Sequence, residues 1–209
     1  VNPALALAPA WWRQADPAEL RIDVSHRPGE LVDELDDLYR RMRQPGHRLH
    51  GLAPVPVDFP GLVFRHREAD GEHYVYAEDA MLGRLAGYTV FNRLVELGRR
   101  ADRHLRAPHS KYAPAYQRRG IAGAVYRWWL AGGRCLISGA RQSPGAHALW
   151  QALGRTHALA YAELRDKRLA YLPPEEAPWR RDDFSTRMIL LGAGWSLERL
   201  RSSADLRLP

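Results

Sequence analysis

The stretch Pro114-Ala115-Tyr116-Gln117-Arg118-Arg119-Gly120-Ile121-Ala122-Gly123 lies where an extended pattern gives way to a helical one. Before it, Arg103–Tyr112 reads as a polar, histidine-bearing strand. After it, Ile121, Val125, Trp128 and Trp129 mark a helix that ends at Gly132-Gly133. A turn from strand into helix points several backbone N–H groups at one spot, where the helix dipole also favours negative charge. Gly120 lets the backbone approach a phosphate closely, and small Ala122 and Gly123 keep the first turn open. Arg118 and Arg119 add donors suited to phosphate oxygens. These residues describe a pyrophosphate cradle over Gln117–Gly123.

Upstream, Pro28–Gln44 predicts a helix, with Leu31, Leu35, Leu38 and Met42 at steps of three and four. Its first half is acidic and its end basic, as the helix dipole favours. Residues 45–61 read as a Pro- and Gly-rich loop. Leu62–His66 and His73–Glu78 then form a hairpin about Asp70-Gly71, followed by a strand over Gly83–Asn92. Downstream, Cys135–Ser138 is a short strand and Pro144–Leu153 a helix ending at Gly154. Residues 157–172 form a second hairpin about Asp166-Lys167, and Arg187–Leu191 a last strand. The order implies an α+β fold with one mixed sheet. It divides into an N-terminal arm and first helix (1–59), a core (60–193) and a polar tail (194–209), with the arm over 1–27 expected to wrap the core.

The cradle segment resembles the signature of the GNAT acetyltransferases, Arg/Gln-x-x-Gly-x-Gly/Ala, with the preceding Pro-x-Tyr. A second stretch, Ser143-Pro144-Gly145-Ala146-His147-Ala148-Leu149-Trp150-Gln151-Ala152-Leu153-Gly154, is similar to a later helix of that family. The phrase Ser138…Gln142-Ser143…Leu149-Trp150 is similar to a phage- and effector-associated branch. The likeness covers about residues 60–192. Two positions depart from the pattern: Ser143 stands where Asn is usual, and Trp150 where many members carry the Tyr that protonates the departing thiolate. An indole cannot do that.

The resemblance implies a mostly antiparallel sheet with splayed central parallel strands and flanking helices. It implies acetyl-CoA as co-substrate, with the diphosphate on Gln117, Arg118, Arg119, Gly120, Ile121, Ala122 and Gly123. The pantetheine arm would lie along Ser110 and Tyr112 and against Ser143 and Trp150. An amine on the acceptor would attack the thioester directly, with a backbone N–H near Tyr112 holding the oxyanion. His109 and His104 are candidate bases, and Ser138 a candidate contact to the thioester sulfur or a bound water. Glu78 and Asp79 are candidates to face the acceptor, against the plainer reading of solvated turn carboxylates.

The chain of 209 residues carries a net charge of +7, and 29 of its 31 cationic side chains are arginine. Such charge attracts anionic partners and argues against polycationic acceptors. The acceptor amine is expected on a protein, an aminoacyl-tRNA or a small metabolite. Arg84, Arg93, Arg99, Arg100, Arg103 and Arg106 form a run that reads either as an anion-binding patch or as a solvated face. Cys135, the only cysteine, excludes an internal disulfide and suits a reducing cytosol, the chain's own or that of a target cell. No paired histidine spacing suggests a metal, and no segment reads as a membrane span. Two other functions fit less fully: a noncatalytic module of the same fold that binds CoA or a partner, and a basic nucleic-acid-binding protein.

Overall fold

The computed structural model describes residues 28–176 and 184–207, so the arm expected over 1–27 lies outside the described residues. The first helix, α1 (Pro28–Arg43), presents Leu31, Leu35 and Met42 to a cluster with Tyr76, Tyr88 and Val90. Four strands follow: a two-residue β1 (Pro54–Val55), β2 (Val63–Ala69), β3 (Glu72–Asp79) and β4 (Arg84–Asn92). The β2–β3 turn uses Asp70 and Gly71, both left-handed (φ 56° and 76°), which matches the twist of the strands it joins.

A single helical turn, α2 (Arg99–Asp102), leads into β5 (Leu105–Tyr112); then come α3 (Ile121–Ala131), β6 (Cys135–Ile137) and α4 (Pro144–Leu153). Strands β7 (Leu159–Arg165), β8 (Arg168–Leu172) and β9 (Thr186–Leu190) precede α5 (Leu197–Ala204). The nine strands form one sheet in the order β1-β2-β3-β4-β5-β6-β9-β7-β8. Among the described strands only β5 and β6 form a parallel ladder, and the other ladders are antiparallel. The expected α+β architecture is therefore the observed one.

Each sheet face has its own core. Phe64, Val75, Phe91, Tyr112, Leu136 and Leu190 pack under α3 and α4, where Trp129 and Leu130 are fully buried. On the opposite face, α1 covers one half. The other half is covered by α2 and α5, over Leu105, Cys135, Ile137, Ala162 and Ile189. The region from Gly194, read as a polar tail, forms α5. Ser196 caps it by accepting from Arg199 N–H (3.1 Å), and Leu200 and Ala204 are buried. Among the described residues, no helix is long and apolar enough to cross a membrane.

Candidate functional site

The sheet opens between β5 and β6. Their parallel pairing is confined to Leu105↔Cys135 and Arg106↔Leu136. Beyond that point β5 stays with β4 through Gly87↔Tyr112, while β6 turns to β9. Two contacts hold each side of the gap. Ala113 N–H donates to Ala86 O (2.9 Å), and Ser138 N–H donates to Met188 O (2.8 Å). Gly87 permits the first of these, because a Cβ there would come within 2.3 Å of Lys111 O. Main-chain groups alternate along a strand. Since Ala113 faces β4, so do Lys111 and His109, whereas Ser110 and Tyr112 turn their peptide groups toward the open edge.

The cradle lies at the end of this gap. A 3-10 turn, Pro114–Tyr116, leads into Gln117–Gly120, which are all exposed. Arg118 and Gly120 are both left-handed (φ 57° and 84°), which makes a tight concave turn of the kind that gathers N–H groups. A Cβ on Gly120 would meet no atom within 4 Å, so the space before it is open. The first helical bond runs from Ala124 N–H to Gly120 O (3.0 Å). The N–H groups of Ile121, Ala122 and Gly123 therefore precede the helical ladder, and among the described residues no side chain caps them. Gln117 Nε2 donates to Tyr112 O (2.9 Å), which fastens the turn to the end of β5. Tyr116 lies between the guanidinium groups of Arg84 and Arg119, 5.4 and 5.5 Å from its ring centre. Its hydroxyl donates to Asp79 (2.7 Å).

Polar side chains line the sheet beneath α3. Thr89 Oγ1 is 2.8 Å from Ser110 Oγ and 3.0 Å from the Tyr112 hydroxyl; Ser110 Oγ is 3.4 Å from the Tyr126 hydroxyl. Burial pushes the Tyr126 phenol up to about 12 and the Tyr112 phenol higher still, so both remain protonated near neutral pH. Tyr126 escaped the sequence reading. The available signal was its place on α3 three and four residues before the apolar Trp129 and Leu130, with which it shares a face.

On the other face, Lys111 Nζ meets Glu34 Oε2 of α1 at 3.1 Å, and the Tyr88 hydroxyl donates to Glu34 Oε1 at 2.5 Å. His109 shares this face by strand alternation, opposite Val90. No local pattern in the sequence announces this cluster, because α1 and β5 are far apart in the chain.

The remaining candidates separate. Ser138 is buried at the end of β6, and its Oγ accepts from Met188 N–H (2.9 Å). Ser143 caps α4 by accepting from Ala146 N–H (3.2 Å). Trp150 is 3 % exposed, in the same core as Tyr112 and Tyr126. His104 precedes β5 with its ring tilted against Trp195, at the far end of the strand from Tyr112, about 26 Å along it. Glu78 is not a solvated turn carboxylate: it is buried, with Arg65 Nε at 2.6 Å and the Tyr39 hydroxyl at 3.4 Å. Cys135 is buried too, and burial raises its thiol to about 11, which leaves little thiolate at neutral pH.

Fold and site together define an α+β protein with an uncapped helix N-terminus at the mouth of a splayed strand pair. No protein-family model matches the chain, and no curated protein matches it. Among solved structures it is similar to a GNAT superfamily phosphinothricin acetyltransferase from Sinorhizobium meliloti, solved in complex with AcCoA. Identity is 25% and the TM-score 0.36, over 59% of this chain and 63% of that one. The chain thus spans less than two thirds of that protein.

Proposed function

We propose that the chain is an acyl-CoA-dependent N-acyltransferase of the GNAT kind, transferring acetyl from acetyl-CoA to an amine. The observation that carries this reading is the uncapped N-terminus of α3, set by Gln117–Gly120 beside the open edge of β5. The N–H groups of Ile121, Ala122 and Gly123, with the Arg118 and Arg119 side chains, would bind the diphosphate. The open edge at Ser110–Tyr112 would take the amide groups of the pantetheine arm as an added strand. Tyr112 N–H would then meet the oxyanion that forms as the amine attacks the thioester carbon.

In this reading the acyl donor enters under α3 and α4 and the acceptor from the face of α1. His109 takes the proton of the attacking ammonium there. Glu34, held by Lys111 and Tyr88, offers a carboxylate to the incoming cation. The Tyr126 hydroxyl, 3.4 Å from Ser110 Oγ on the strand that borders the open edge, supplies the proton that the departing thiolate needs. The acceptor is an amine on a protein, an aminoacyl-tRNA or a small metabolite, and the reaction proceeds in a ternary complex without an acyl-enzyme.

Isothermal titration of the protein with acetyl-CoA and then CoA tests the reading. Gly120→Asp places bulk and negative charge in the open space before α3. Binding by the parent, lost in a folded Gly120→Asp variant, is the expected result. Affinity that survives the substitution removes the cradle from the argument.

A further inference from the structure

The arginine run that the sequence leaves ambiguous separates in the fold. Arg93 and Arg106 both turn to Asp102, and Arg84 packs on Tyr116. Arg99 and Arg100 do neither. They line a recess of about 190 Å³ together with Lys167 and Arg168 of the β7–β8 turn. The two segments are pinned to each other: Gly98 N–H donates to Lys167 O (3.0 Å). Any side chain at Gly98 would break this approach, since a Cβ would lie 2.9 Å from that oxygen.

The fold therefore holds four like charges around one hollow, from stretches far apart in sequence. Among the described residues Asp205 is the sole carboxylate lining it, and Asp166 neighbours it in the turn. Among the described residues, none of the four cations has an ion-pair partner, whereas Arg165 next to them pairs with Glu163 (3.0 Å) and Arg201 with Glu198 (2.7 Å). Gathering four cations about one carboxylate opposes folding, and an anion seated among them reduces that cost. Exposed Arg207 extends the positive surface along β8, where Arg207 N–H donates to Leu169 O (2.9 Å).

The other lining residues, Gly98, Ala101, Leu169 and Ala204, are small or aliphatic. With no aromatic ring in the lining among the described residues, these side chains offer no platform on which a base could stack. It offers forked donors suited to phosphate oxygens. We propose that this recess, on the α2 and α5 face and remote from the α3 cradle, docks the phosphodiester backbone of a nucleic acid without regard to sequence.

The test is binding of a short mixed-sequence duplex, followed by fluorescence anisotropy from about 50 to about 200 mM salt. It compares the parent with the exposed-surface variant R99Q/R100Q/K167Q/R168Q and with R118Q/R119Q in the cradle, each confirmed as folded by circular dichroism. The parent should bind, and the quadruple variant should lose about tenfold or more at the lowest salt. Its log–log salt slope should shrink by about 0.9 for each phosphate contact removed. R118Q/R119Q should stay within about twofold of the parent. Three results overturn the proposal: no binding by the parent, an unchanged slope in the quadruple variant, or loss only in the cradle variant. So does displacement of the duplex by inorganic pyrophosphate beyond the effect of sodium chloride at equal ionic strength, which would make the recess a small-anion site. None of these outcomes depends on acetyl-CoA.

Discussion

Ser138 and Met188 hold each other by two hydrogen bonds, Ser138 N–H to Met188 O at 2.8 Å and Met188 N–H to Ser138 Oγ at 2.9 Å. The side chain thus serves as a ladder acceptor after the main chain of β6 has ended. This clasp draws β6 toward β9 and away from β5, which opens the edge at Ser110–Tyr112.

Removing the clasp should cost stability. Ser138→Ala leaves Met188 N–H buried without its acceptor, a loss of about 1–3 kcal/mol. The urea midpoint should fall with little change in the slope of the unfolding curve. If the midpoint does not move while turnover collapses, Ser138 acts on the substrate and the clasp is incidental.

The sole cysteine gives a second, simple check. Cys135 is fully buried, and its Sγ accepts from Gly192 N–H at 3.4 Å. Its raised thiol calls for very slow alkylation of the native protein at pH 7 and rapid alkylation in denaturant. Cys135→Ser should keep most of its turnover. Loss of turnover with acetyl-CoA binding intact would point to an acyl-cysteine intermediate instead.

Acid should loosen the β2–β3 hairpin from α3. His66 Nε2 and His73 Nδ1 lie 3.2 Å apart, against Trp128 and Trp129, with Arg134 stacked on both indoles and Glu68 Oε2 3.8 Å from His73 Nδ1. Burial lowers both histidines, and His73 falls to about 4, with the Arg134 and Arg106 cations acting in the same direction. A base whose folded value lies below its unfolded one, near 6.5, is neutral in the fold. Its stabilising share is complete above pH 6.5 and is lost as the pH falls through about 4. The melting temperature should therefore drop across that window, and His73→Gln should flatten the drop. An unchanged acid limb in His73→Gln would assign the loss to carboxylates elsewhere.

How far the sequence reveals all this depends on the range of each contact. The turn into α3 was legible because Gln117–Gly123 acts locally: its glycine, its arginines and the helix start lie within one turn. The hairpin at Asp70-Gly71 and the Pro144–Leu153 helix were legible for the same reason, each carrying its own stop and start signals. α5 escaped because Leu197 and Leu200 sit in a run of charged and hydroxyl residues, and its apolar stripe appears only once it packs on the second core. Ser138–Met188 and Glu34–Lys111 join positions 50 and 77 residues apart, and no local pattern encodes such a partner. Glu78 was misread as a turn carboxylate because the Arg65 that neutralises it lies on the adjacent strand.

Proton supply to the leaving thiolate is where this chain departs most from the family it resembles. By the sequence resemblance Trp150 stands where many members of that family carry Tyr, and it is buried in the core beneath α3. An indole N–H is too weak an acid to serve, so Trp150→Phe should leave turnover within about threefold and show itself mainly in the apparent affinity for acetyl-CoA. Tyr126 is the better donor. Its hydroxyl is 3.4 Å from Ser110 Oγ on the strand that borders the open edge. Tyr126→Phe keeps the ring and its packing against Phe91 but removes the proton, so turnover should fall about a hundredfold. Acetyl-CoA affinity should scarcely change, and the melting temperature should stay near that of the parent. A thioester with a more acidic leaving thiol needs less protonation, so it should restore much of the lost rate in Tyr126→Phe and none in His109→Ala. A large fall in turnover for Trp150→Phe, with Tyr126→Phe silent, would return the acid to α4 and overturn this assignment.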